Sequence, residues 1–348
     1  MIRKRKEGDL NIAYRPYRMD EVFGNNRIKN LISGYLNKKT LPHASRFIGP
    51  AGCGKTTFAR IVALGLNCET GITDNPCCVC PTCRAIINLN SLSVIELDGA
   101  RARDIATVRK ILNDLPAAPF GNDRFRILII DEAHKLTTDA EEALLKFLED
   151  TPAHVYVILC TNEPKKLKET TLQRCKPVQF SRLDTTDIFA LLEQVAQFEG
   201  MNYNKEILQS IVEESAGTPR IALSFLQQIN AEGTWSSEAA SYILTMGVDI
   251  DAQEVVNLGK CLLSANTWSS VRDAYLEVTR KIPPENTRIA LTGFLTGCLK
   301  RAHENEDARR YAKAAFIMSE LYYGPKPEHR ILMSVFRCYE VLRGRLDI

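Results

Sequence analysis

The run Gly49-Pro50-Ala51-Gly52-Cys53-Gly54-Lys55-Thr56, followed by Thr57, is a complete G-x-x-x-x-G-K-[ST] segment set between apolar Phe47-Ile48 and a helical stretch. Glycines at this spacing let successive backbone N–H groups turn inward as an anion nest, and the next helix points its positive end at the same place. Lys55 is placed to reach the β- and γ-phosphates of a nucleotide, and the Thr56 hydroxyl to ligate Mg²⁺. Further on, Arg126-Ile127-Leu128-Ile129-Ile130-Asp131-Glu132 is an apolar strand ending in two acids. Asp131 there suits Mg²⁺, directly or through water, and Glu132 suits the orientation and deprotonation of an attacking water. The glycine loop alone implies that ATP binds. Glu132 adds the expectation that it is hydrolysed.

A second chemistry comes from thiols. Of eleven cysteines, Cys53 lies in the loop, Cys160, Cys175, Cys261, Cys298 and Cys338 are scattered, and five cluster between Cys68 and Cys83. An odd count in a long chain fits a reducing compartment with one metal site, not a disulfide framework. Cys68, Cys77, Cys80 and Cys83 offer four soft thiolates for a closed, tetrahedral, structural Zn²⁺. The metal reads as structural, with no water-activating His or Glu accompanying it. Cys78 stands beside Cys77, so the sequence leaves that ligand open between the two.

These residues need a scaffold. Apolar runs at Arg46–Ile48, Val94–Leu97, Arg126–Ile130, Val155–Thr161 and Val178–Phe180 read as strands. Helical periodicity falls at Arg27–Leu36, Lys55–Leu66, Arg103–Leu115 and Asp139–Glu149. Such alternation argues for a parallel sheet covered on both faces. After Arg182 the strands stop, and Asp187–Glu199, Lys205–Ser215 and Arg220–Asn230 read as helices. From about Ile243 apolar residues recur at three- and four-residue spacing (Val255, Leu258, Cys261, Leu262; Val271, Tyr275, Val278), with Pro283-Pro284 and Pro325-x-Pro327 as breaks.

At 348 residues, 45% hydrophobic and 25% charged, the chain reads as an ordinary globular protein of two or three domains. Its net charge of +3 makes any nucleic-acid contact a matter of local Lys and Arg placement. No apolar run approaches the roughly 18 residues needed to cross a bilayer. The basic start, Met1 to Lys6, leads into polar residues and not into a signal-peptide core.

With Tyr14-Arg15-Pro16, Asp20, Val22 and Gly24 added, the chain resembles the clamp-loader family of AAA+ ATPases, and within it the bacterial DNA polymerase III gamma/tau family. The likeness runs from about Ile12 through Phe225 and less specifically through the tail. It implies an AAA+ P-loop α/β domain over residues 1–181, a helical lid over 182–242 and a helical collar over 243–348. By the same resemblance Tyr14, Arg15, Val22 and Phe23 line the adenine pocket, and the cysteine spacing is that of the family's zinc module, inserted over residues 68–83. The resemblance likewise implies the sensor-1 position for Asn162. Arg174, in Leu172-Gln173-Arg174-Cys175, is the arginine finger that completes a neighbouring subunit's site, although Gln173 replaces the family's Ser. Arg220, in Gly217-Thr218-Pro219-Arg220, is the sensor-2 arginine that reaches back to the phosphates.

The implied function is ATP-driven loading of a sliding clamp onto primer–template DNA during replication. Backbone contacts to DNA are assigned to Arg101, Arg103 and Arg109, and other loader subunits complete a pentamer, homo- or hetero-oligomeric. The expected location is the cytoplasm of a bacterial-type cell, with host and viral origin both open, and no membrane partner. Ending at Ile348, the chain is expected to be a short, gamma-like form. Two alternatives stand beside this: a non-hydrolysing structural subunit, against which the intact P-loop and Glu132 argue, and a branch-migration AAA+ motor, against which the cysteine module and Arg174-Cys175 argue. Asp131-Glu132-Ala133-His134 also matches the DEAH helicase motif, but helicases of that kind need a second RecA-like domain, and only helices follow here.

Overall fold

The computed structural model describes residues 3–4, 8–100, 105–233, 235–236, 240, 243–244, 252–264, 267–281, 284–300, 302, 304–319 and 327–346. The chain divides into two compact units, Met1–Tyr203 with Ile211–Gln227, and Asn204–Ser210 with Gln228–Ile348.

The first unit is built on five strands: β1 Ala44–Ile48, β2 Val94–Asp98, β3 Arg126–Asp131, β4 Val155–Thr161 and β5 Lys176–Gln179. They form one sheet in the order β2-β3-β4-β1-β5, every pairing parallel. Strands buried on both faces carry continuous apolar runs, and β4 is buried along its whole length. Period-two alternation divides β3 between two cores. Ile127 and Ile129 pack with Phe47, Phe58 and Ile61 on one face. Leu128 and Ile130 pack with Val108, Leu112 and Leu144 on the other.

The covering helices are α1 Leu10–Ala13, α2 Asn26–Lys38, α3 Lys55–Asn67, α4 Pro81–Ile87, α5 Ile105–Asp114, α6 Thr138–Glu149 and α7 Glu169–Arg174. Capped by Thr137, which accepts the Ala140 N–H, helix α6 starts one residue ahead of the Asp139 at which the sequence pattern begins it. Helix α3 ends on Asn67. The Asn67 amide accepts from the Arg124 and Phe125 N–H groups at 3.0 and 2.9 Å and donates to Phe125 O at 2.9 Å. That ties the far end of the P-loop helix to the residue preceding β3.

Beyond β5 come α8 Thr185–Phe198, α9 Lys205–Glu214 and α10 Pro219–Glu232. In the second unit α11 Ala252–Ser264, α12 Trp268–Lys281, α13 Pro284–Lys300, α14 Asn305–Ser319 and α15 Pro327–Leu342 surround a core of their own. Leu258, Leu262, Val271, Tyr275 and Val278, spaced by helical periodicity in the sequence, are all buried in it.

Candidate active site

In a parallel sheet, ligand sites lie beyond the carboxyl ends of the strands. The strand order sets the ends of β3, β4 and β1 side by side, so residues distant in sequence meet there. Gly49, just past β1, donates its N–H to Thr161 O at the end of β4 (3.2 Å). The N-cap of α3 is Gly54, which has no side chain with which to bond the first-turn N–H groups, and these face the loop. Lys55 is buried, and its ammonium donates to Gly49 O at 2.9 Å and Pro50 O at 2.8 Å. Thr56 Oγ1 donates to Asp131 Oδ2 at 2.8 Å.

One cavity is lined by Tyr14, Arg15, Val22, Phe23, Gly52, Cys53, Gly54, Lys55, Thr56, Thr57, Asp131, Glu132 and Arg220. Arg220 reaches it because Gly52 lets the start of α10 come close: a Cβ there would stand 2.6 Å from Thr218 Cγ2 and 3.3 Å from Arg220 Cβ. Burial holds the Arg15 guanidinium below the usual arginine value, and the like charges of Arg60 and Arg220 push it the same way. An arginine stays charged regardless, so this wall of the cavity favours an anion. Tyr14 is almost fully buried and its hydroxyl donates to Glu199 Oε1 at 2.6 Å, so it meets the cavity with its ring and not with its hydroxyl.

The thiols also converge. Sγ atoms of Cys68, Cys77, Cys80 and Cys83 all lie within 4.8 Å of one another. Zn–S bonds of about 2.3 Å in a tetrahedron set sulfurs about 3.8 Å apart, and Cys77 and Cys83 Sγ are 4.0 Å apart. Backbone N–H groups already point at the sulfurs: Cys77 N at Cys68 Sγ (3.4 Å), Cys80 N at Cys77 Sγ (3.3 Å) and Cys83 N at Cys80 Sγ (3.4 Å). Such donors stabilise thiolates bound to a metal, so the donor set fits a structural Zn²⁺. Cys78 takes φ +60° and turns its thiol to Pro76 O (3.4 Å), which removes it from the cluster. The other thiols belong to packing. Burial pushes Cys53 and Cys160 up, Cys175 up to about 11 and Cys338 up to about 12, so they stay protonated near neutrality.

A family model described as DNA polymerase III, delta subunit, matches residues 24–184. The chain is 34% identical over 253 residues to DNA polymerase III subunit tau of Escherichia coli (strain K12), covering 73% of this chain and 39% of that protein. It is 35% identical over 214 residues to DNA polymerase III subunit gamma of Buchnera aphidicola subsp. Schizaphis graminum, covering 62% of this chain and 59% of that one. The chain is a relative of the DNA polymerase III gamma/tau subunits. It spans about two fifths of the length of the tau relative. Among solved structures, the Thermotoga maritima RuvB Holliday junction branch migration motor superposes with a TM-score of 0.51 at 18% identity, over 76% of this chain and 90% of that one. At that identity the likeness carries the fold alone, which is the AAA+ P-loop fold.

Asn162, Arg174 and Arg109 are among the expected site residues that lie away from the cavity lining. Asn162 is exposed immediately beyond β4, one residue after the Thr161 carbonyl that binds Gly49 N–H. Arg174, the last residue of α7, pairs with Glu149 at 2.7 Å on the surface. Arg109 is exposed on α5, and Arg101 and Arg103 lie outside the described residues. Two features were not read from the sequence. Arg60 of α3 forms a two-pronged pair with Glu96 of β2, both contacts 2.7 Å. His134, part of the D-E-x-H string, is buried against Glu132, Thr161 and Glu163.

Proposed function

We propose that this chain is the ATP-hydrolysing subunit of a sliding-clamp loader, coupling ATP binding and hydrolysis to placement of the clamp on primer–template DNA. The observation that carries this is the single cavity joining Lys55, Thr56, Asp131 and Glu132, in a chain related to DNA polymerase III gamma/tau subunits. The P-loop N–H groups, Lys55 and Arg220 bind the phosphates. Thr56 and Asp131 would hold Mg²⁺, which would supply positive charge to offset that of the phosphates. Glu132 takes the proton of the attacking water, and Asn162 senses the γ-phosphate through that water. Arg174 completes the site of an adjacent subunit. The four thiolates hold a structural Zn²⁺, residues 182–242 act as lid and 243–348 as collar, and Arg101, Arg103 and Arg109 track the DNA backbone.

The test is ATP turnover by the purified chain with and without primed DNA and a sliding clamp. Stimulation by both, lost in Glu132→Gln while nucleotide binding is kept, is expected. Turnover insensitive to both overturns the loader assignment, and no turnover in the assembled protein overturns the hydrolytic one. For the DNA residues, an Arg101→Ala/Arg103→Ala variant should show a shallower dependence of binding on salt, because each lost phosphate contact releases fewer counterions.

A further inference from the structure

His134 sits on the 3₁₀ turn Ala133–Lys135 just past β3, with its side chain 3% exposed. Its Nδ1 is 3.1 Å from Thr161 Oγ1, at the last residue of β4. Its Nε2 is 3.4 Å from Glu132 Oε2 and the same 3.4 Å from Glu163 Oε1. Thr161 Oγ1 also accepts the Glu163 N–H at 3.1 Å. One imidazole therefore joins the end of β3 to both neighbours of Asn162.

The protonation pattern follows from the partners. Ionised carboxylates only accept, so the proton of a neutral ring belongs on Nε2. Thr161 Oγ1, already accepting from Glu163 N–H, keeps its own proton to give to Nδ1. That leaves a single Nε2–H facing two equidistant carboxylates, each at ion-pair distance and without hydrogen-bond geometry. Each carboxylate also has a lysine, Lys135 at 3.4 Å from Glu132 and Lys166 at 2.8 Å from Glu163, but both lysines are about half exposed and screened by water, whereas the imidazole is not.

We propose that His134 is the positioning residue for Glu132: its Nε2–H fixes Glu132 Oε2 so that Oε1 faces the attacking water, and Glu163 competes for the same N–H. This follows the general pattern of a base oriented by a third group, and it links the base to the strand end that carries Asn162. It rests on Glu132 being the general base, as read above.

Kinetics on three substitutions in the otherwise intact, DNA- and clamp-stimulated protein test it. His134→Asn can reach Thr161 but not the carboxylates. It is expected to lower kcat about tenfold, part of the 10²- to 10⁴-fold a general base supplies, with KM for ATP unchanged. His134→Gln places an amide N–H near the Nε2 position and is expected to recover most of kcat. Glu163→Gln, on an exposed side chain that is safe for folding, removes the competing carboxylate and is expected to raise kcat a few-fold alone and to change nothing in the His134→Asn background. Equal loss in the Asn and Gln variants, or a Glu163→Gln that is inert, lowers kcat or acts equally in the His134→Asn background, overturns the proposal. A wild-type protein that binds ATP without turning it over overturns the reading of Glu132 instead.

Discussion

Thr56 Oγ1 donates a 2.8 Å hydrogen bond to Asp131 Oδ2, joining the second residue of α3 to the last residue of β3 across the end of β4. A hydroxyl and a carboxylate that meet in this way are spaced to share one divalent cation. Thr56→Ala is therefore expected to weaken ATP binding about tenfold in Mg²⁺, equivalent to about 1.4 kcal/mol. In EDTA the same substitution should change little. Isothermal titration in the two buffers checks this, and an equal loss in both would place Thr56 on the phosphates and not on the cation.

Arg174 and Glu149 are 35% and 53% exposed, and an exposed pair of this kind is worth at most about 1 kcal/mol. Leaving that pair, as the proposed role in an adjacent subunit's site requires, therefore costs the arginine little. Arg174→Ala is expected to bind ATP as the wild type does while hydrolysis by the assembled protein falls about 10³-fold or more. Phosphate release measured over a range of protein concentration is the check. The wild-type rate per chain should rise with assembly, and the variant's should stay flat.

The conformation of Cys78 decides between two adjacent thiols. Zinc analysis of Cys77→Ser and Cys78→Ser should give about one ion per chain for Cys78→Ser and well below one for Cys77→Ser. Thermal melts should follow the metal content, because a structural ion contributes its binding energy to folding. Equal zinc in both variants would mean that Cys78 can replace its neighbour.

Tyr14 holds Glu199, and the sign of that effect is testable. The Tyr14 hydroxyl, and after it Lys4, keep the Glu199 carboxyl below the usual glutamate range against the opposing effect of burial. A depressed folded-state pKa stabilises fully above the unfolded value of about 4.3 and is lost as pH falls through the lower folded value. Tyr14→Phe keeps the ring on the cavity wall and removes the bond. It should melt lower than wild type at about pH 7, with the difference closing as pH falls below the ordinary glutamate range. A gap that persists in acid would mean that the hydroxyl acts through something other than Glu199.

The P-loop, the Asp131-Glu132 pair and the cysteine quartet were legible because each is a local string whose chemistry needs only its own neighbours. Strand identities were legible too, since doubly buried strands are written as apolar runs. Their edges were less so: β1 begins at Ala44 and β5 covers Lys176–Gln179, because pairing to a neighbour and not composition sets where a strand starts. What stayed hidden were contacts made by strand order. His134 and Thr161 are 27 residues apart and meet only because β4 lies against β3. Arg60 and Glu96 meet because β2 and β3 pair while α3 packs over them. Cys77 could not be told from Cys78 without the backbone angle at Cys78.

Asn67 and Thr56 also define a mechanical unit. Near one end of α3, Thr56 grips Asp131; at the other, Asn67 grips Phe125 just before β3 begins. A helix of this length is a rod of about 20 Å, here fastened to a strand at both extremities. Shear between rod and strand stretches one fastening or the other, so small displacements of the phosphate cradle and of the acidic pair are coupled. A change at either fastening is therefore felt at the other end of the helix.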